Sequence, residues 1–100
     1  MKKKATKKER EYMTYLANEL GCQVCRNLYG EVTPGQIHHP RFAVGLSQRA
    51  NHADSYCLCY NHHQGKEGIH TIGKKTWEDR YGTEHELLAK TKELMRWFKW

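Results

Sequence analysis

Apolar positions recur at helical spacing at the two ends of this sequence and lose that period in between. Thr6 with Glu9 makes a capping-box signal ahead of Tyr12, Met13, Leu16 and Leu20, and Gly21 closes the run. The spacing predicts a helix over residues 7–20. From 26 to 56 no helical period survives, and Gly30, Pro34, Gly35, Pro40 and Gly45 punctuate short runs that read as loops and short strands. A hairpin fits best, with one strand centred on 36–39 and a second on 55–58, joined by a long polar connection through Arg41, Gln48, Arg49 and His52. A short helix is expected near Tyr60, carrying His62 and His63 and ending in the 65–68 region. Another should cover 75–81 and stop at Gly82. Thr83 with Glu86 then forms a second capping box before Leu87, Leu88, Thr91, Leu94, Met95 and Phe98.

One hundred residues make one domain with a thin core, and the composition shows what supplements it. Four Cys and seven His are many for this length. Residues 1–8 read as a basic tail and 9–100 as a single domain. No apolar stretch approaches a membrane span, and the initial lysines lead into no apolar run, so a cytoplasmic monomer without membrane contact is expected. In a reducing compartment the cysteines are metal ligands rather than disulfides. Seventeen Lys and Arg against eleven Asp and Glu give a net charge of +6 and favour a polyanionic partner such as DNA.

Cys22-x2-Cys25 precedes Cys59-Tyr60-Asn61-His62, a second pair with the same gap. Two tight turns of that spacing complete a tetrahedral structural zinc site from Cys22, Cys25, Cys59 and His62. Cys57 shares a strand face with Cys59 and is the alternative ligand; with Cys59 preferred, Cys57 is a packed free thiol. Ile37-His38-His39-Pro40 places two imidazoles at consecutive strand positions, so they point to opposite sides and cannot do the same job. His63 follows on the helix expected to pack across the hairpin.

Strand, strand and helix, with a His-His pair on the first strand and a His on the helix, resemble the HNH (ββα-metal) endonucleases over about residues 22–70. The resemblance implies an α+β fold: a small zinc-stabilised ββα-metal core, a hairpin packed on a short helix, flanked by N-terminal and C-terminal helices. It implies a phosphodiester hydrolase in which His38 and His63 ligate a divalent metal and His39 acts as the general base. That catalytic metal would be Mg2+ or Mn2+, or Zn2+ as isolated. The family's bracing Asn falls at Asp54, a second catalytic candidate, with Asn51 the nearest Asn. A family ligand four residues past the helix His falls at Glu67, a departure from the His of some members. His70 and His52 stay open, each able to reach metal or phosphate; His70 is taken as a further metal ligand. His85 is expected on an exposed helix face.

The run Cys59-Tyr60-Asn61-His62-His63-Gln64-Gly65, with Gly68-Ile69-His70, Gly73, Trp77 to Gly82 and the opening Ala5-Thr6-Lys7-Lys8-Glu9-Arg10, resembles the bacteriophage recombination-enhancement (Ref) nucleases. That likeness implies DNA cleavage in phage recombination, with a RecA-type recombinase filament as partner and the host bacterial cytoplasm as location. The alternative is a non-catalytic zinc-stabilised DNA-binding module, in which His38, His39 and His63 complete a second structural zinc. Arg41, Arg49, Lys66, Lys74 and Lys75 are the candidate phosphate contacts. Tyr12, Tyr15, Trp77, Tyr81, Trp97 and Phe98 can stack on single-stranded DNA, but their helical spacing favours core packing; only Trp100 looks free of that duty.

Overall fold

The computed structural model describes residues 4–40 and 52–100. Arg41, Arg49 and Asn51 therefore lie outside the described residues. The Thr6 and Glu9 capping box forms as expected and starts α1, Lys7–Tyr15, which continues as one wide π-type turn, Leu16–Leu20. Lys7 and Lys8 thus belong to the first helix rather than to a tail. The Arg26 guanidinium donates twice to the Leu20 carbonyl, at 2.9 and 3.1 Å, satisfying an orphan acceptor where that turn ends.

A second helix, α2 (Gln23–Tyr29), occupies a stretch whose later part the periodicity assigns to loops. It is only two turns long and buries Gln23, Val24 and Cys25 at its start, too few positions to show a period. The signals it does carry are local. The Cys22 thiol accepts from the Cys25 amide, and Gly30 stops the helix in the left-handed conformation at φ 66°.

Two short antiparallel strands follow, β1 (Gln36–His38) and β2 (Tyr56–Leu58), with Gln36 opposite Leu58, Ile37 opposite Cys57 and His38 opposite Tyr56. A 3-10 turn, His52–Asp54, leads into β2. All three β2 residues are buried, because both faces of this two-stranded sheet are covered. On one face Tyr56 and Leu58 join Val24, Ile69, Trp77, Leu87 and Leu88. On the other, Cys57 joins Tyr12, Leu16, Leu20 and Met95, with Ile37 packed against them. Strand alternation thus sorts the hairpin's side chains into two cores.

The rest is helical: α3 (Tyr60–His63), α4 (Ile69–Ile72), α5 (Lys74–Tyr81) and α6 (Glu84–Leu94). The Thr83 and Glu86 capping box starts α6 as expected. The period read through Phe98 overextends this helix, which ends at Leu94 with Met95 as cap. Trp100 is not free of packing: its ring tilts against Tyr12 at 4.8 Å and meets Phe98 at 5.0 Å. The molecule is thus a small α+β fold, a two-stranded hairpin covered by helices. Among the described residues no helix is long and apolar enough to cross a membrane.

The single-turn helix α4 has no periodic signature, and Gly68 explains its position. A Cβ there would stand 2.5 Å from the His63 carbonyl oxygen, so only glycine lets α4 approach α3 this closely. Gly68→Ala should therefore cost about 1–3 kcal/mol of stability through overpacking. Thermal unfolding with metal present measures this, and an unchanged midpoint would show that the two helices reseat freely.

Candidate metal centre

Cys22 and Cys25 stand at the start of α2, Cys59 just past β2 at the N-cap of α3, and His62 within α3. All four are buried, and their ligand atoms lie within 4.8 Å of one another. The Cys25 sulfur is 3.8 Å from that of Cys59 and 3.7 Å from His62 Nδ1, while Cys22 Sγ is 3.9 Å from the same nitrogen. A tetrahedral zinc with metal–sulfur bonds of about 2.3 Å and metal–nitrogen bonds of about 2.1 Å has edges of roughly 3.6–3.8 Å. These three edges and the donor types fit a metal such as zinc, while Cys59 Sγ stands nearer to His62 Nδ1, at 3.1 Å. Burial pushes the Cys22 and Cys25 thiols up, so thiolates here need a cation to compensate them. The indole of Trp77 donates to the His62 carbonyl at 3.0 Å, and the Tyr81 ring packs edge-on to the imidazole, which together hold this ligand's turn. Cys57 faces the other core, where burial raises its thiol to about 12; it is the packed free thiol expected.

A second cluster lies next to the first in sequence. His38 Nδ1, His63 Nε2 and His70 Nε2 converge, with His63 Nε2 3.2 Å from His38 and 3.1 Å from His70. Ligands at right angles around an ion at about 2.1 Å are about 3 Å apart, so these spacings suit an octahedral ion with positions left open.

The other nitrogen of two of these rings is already engaged. His38 Nε2 donates to Glu84 Oε1 at 2.7 Å, and His63 Nδ1 donates to Gln36 Oε1 at 2.8 Å. Both second partners leave a bare lone pair facing the common point. A proton there bridges only one pair of nitrogens, whereas a divalent ion satisfies all three. Burial, then the neighbouring His38 and His70, pushes His63 down to about 4, so it is a neutral ligand at neutral pH.

Glu84 is the functional candidate that sequence reasoning missed. It is 2% exposed at the first position of α6, where its Oε1 accepts from both His38 and the Tyr56 hydroxyl, the latter at 2.5 Å. Burial alone would raise this carboxyl, but those hydrogen bonds hold it below its ordinary value. A first-turn Glu after a capping Thr reads as ordinary helix chemistry, so nothing local distinguishes it.

His39, one residue past β1, does not join its neighbour. Its Nε2 lies 3.1 Å from His52 Nδ1, on the side where Ile37 packs. Burial first, then His52 and His38, pushes His39 down, keeping it neutral. Asp54 is not brought into this pair: its carboxylate bonds Lys92 of α6 and lies close enough to Tyr12 to raise that phenol further. Glu67 is also elsewhere, accepting from Arg80 at 2.6 Å and Tyr81 at 2.8 Å; His70 fills the third place instead. Lys66, Lys74 and Lys75 are exposed, and the Lys74 ammonium is 4.0 Å from Glu84 Oε2. His85 is exposed on α6. No protein-family model and no curated protein matches this sequence.

The two clusters predict separable losses. Cys25→Ser should release the first metal and abolish cooperative unfolding, because binding energy in such sites, on the order of 10 kcal/mol, is folding energy. Cys57→Ala should keep that metal; metal analysis paired with calorimetry checks both. Glu84→Gln should leave the cysteine-bound metal in place and weaken Mn2+ at the histidine cluster by roughly 10-fold to 100-fold in a calorimetric titration. Equal affinity in the variant would show that Glu84 serves packing alone.

Proposed function

We propose that this chain is a metal-dependent DNA endonuclease of the HNH (ββα-metal) type. The observation that carries the reading is the divergence of His38 and His39. One belongs to a three-imidazole cluster with tautomers set for metal, and its neighbour turns away as a neutral, half-buried ring. A purely structural site has no use for the second ring.

In this reading Cys22, Cys25, Cys59 and His62 hold structural zinc, and His38, His63 and His70 hold the catalytic divalent ion, Mg2+ or Mn2+. That ion, when bound, would neutralise charge building on the phosphate and leaving oxygen. His39 donates from Nε2 to His52, which leaves Nδ1 as the proton acceptor for water. As the water oxygen bonds phosphorus, His39 takes its proton, the ester P–O bond breaks and the leaving oxygen is protonated from solvent. The turn holding His52 is itself fixed, since the Ser55 hydroxyl donates to the His52 carbonyl at 2.6 Å and Asp54 ties the turn to α6. Asp54 thus supports the base at one remove, a bracing role of the kind the family gives its Asn. Lys74, 4.0 Å from Glu84 Oε2, is a phosphate candidate beside the cluster.

The likeness of residues 59–65 to the Ref nucleases extends the proposal to phage recombination, with a RecA-type filament as partner. The rival, a DNA-binding module with a second closed zinc, needs a fourth ligand. Among the described residues the group stops at three, one of them the exposed His70.

A cleavage assay with added Mg2+ or Mn2+ tests the roles. His39→Ala should keep both metals and DNA binding while slowing cleavage roughly 100-fold to 10,000-fold. His38→Ala should instead lose the second metal and recover part of its rate at higher divalent concentration. For His52, Ala should lower kcat roughly 10-fold with KM unchanged, and Asn, whose amide takes the place of Nδ1, should restore most of it. Full cleavage by His39→Ala, or equal metal loss from both strand variants, overturns the assignment.

A further inference from the structure

The chain's aromatic residues are unevenly used. Trp77 is fully buried and Tyr12 nearly so, but Trp97 and Trp100 are 54% and 57% exposed. Neither is a loose side chain. Trp97 packs edge-on to Tyr15 at 4.9 Å, and Trp100 is fixed by Tyr12 and Phe98. Each indole therefore has one side held by a ring beneath and much of its surface in water, the arrangement of a preformed stacking platform. Burying these rings requires a flat apolar partner, and their surroundings select its charge.

The segments that carry the platform, residues 4–20 and 90–100, hold eight Lys and Arg against four Glu. Lys8 sits 5.5 Å over the Phe98 ring at the centre of the aromatic group. A shallow groove of about 440 Å³ runs along α1 and the turn that continues it, beside Tyr15, with Lys7, Arg10 and Asn18 among its lining and the carboxylates Glu11 and Glu19 also on it. Those two carboxylates disfavour a rigid duplex laying successive phosphates along the groove. Stacked bases, with a flexible backbone free to follow the lysines and arginines, suit both features.

Position ties this surface to the His39 side of the hairpin. Trp100 rests on Tyr12, Tyr12 neighbours Asp54, and Asp54 belongs to the turn whose His52 meets His39. The histidine cluster with Glu84 and Tyr56 lies toward the other core.

We infer that Trp97 and Trp100 form a stacking platform for single-stranded nucleic acid, which makes the substrate of the proposed nuclease a strand with unpaired bases next to the cleavage point. The substrate assignment rests on the nuclease reading; the platform does not.

Binding without added divalent ion separates the two. A short oligothymidylate should quench tryptophan emission, and Trp97→Leu and Trp100→Leu should each weaken its affinity roughly 10-fold, with the double variant losing the quench. A blunt duplex of matched length should bind more weakly and ignore both substitutions. Because both indoles are half in water, the variants should keep the parent's unfolding midpoint; where one does not, Trp→Tyr at the same position retains packing and should retain binding. Affinity for the oligothymidylate unchanged in both Leu variants, no quench at all, or a duplex equally weakened overturns the platform. A chain that binds through both tryptophans yet cleaves nothing keeps the platform and removes the nuclease; one that cleaves single strands while indifferent to both does the reverse.

Discussion

A tetrahedron of three sulfurs and one imidazole nitrogen joins pieces of this chain that have little else to hold them. Cys22 and Cys25 begin a two-turn helix, Cys59 follows a three-residue strand, and His62 sits in a helix of four residues. None of these elements is long enough to be stable alone. Burial raises the thiols, so the site is costly without a cation and strongly favourable with one. A metal held by these four donors would do for this domain what a larger core does elsewhere.

The histidine cluster is built on the same elements as the cysteine cluster. His63 follows His62 directly, so fixing one imidazole fixes the turn that presents the other. β2, which runs directly into Cys59, holds β1 in the register that places His38 opposite Tyr56. Glu84 then joins His38 and Tyr56 from the far end of the chain, and Gly68 lets His70 approach from the next helix. A closed site builds the frame, and an open one is assembled on it from three elements. Adjacent imidazoles on α3 join different clusters because successive residues of a helical turn face different directions.

Much of this was legible from short-range spacing. The two x2 gaps named the four sulfur and nitrogen donors, and both capping boxes formed where they were read. Strand alternation separates His38 from His39; it also put Cys57 on the face of Cys59, which the structure corrects, because β2 stops at Leu58 and Cys59 turns into α3 and the other core. What escaped depends on long-range packing. Glu84 lies 46 residues from His38, and nothing in its own helix marks it. Asp54 was read against a family pattern, while its partner Lys92 comes from a distant helix. Helices α2 and α4 are too short for a period to show, and Trp100 gained its partners only when the chain's two ends came together.

In the proposed reading this chain carries two metal centres of different kinds, one closed and sulfur-rich, the other open and all-imidazole. Titrating the metal-free protein with Co2+ and following its optical spectrum tests this directly. The first equivalent should give sulfur-to-cobalt charge transfer and the intense visible bands of tetrahedral cobalt, and the second should add only the weak bands of a higher-coordinate ion and be removed by dialysis. A second equivalent that fails to bind, or that is as intense and as firmly held as the first, would contradict it.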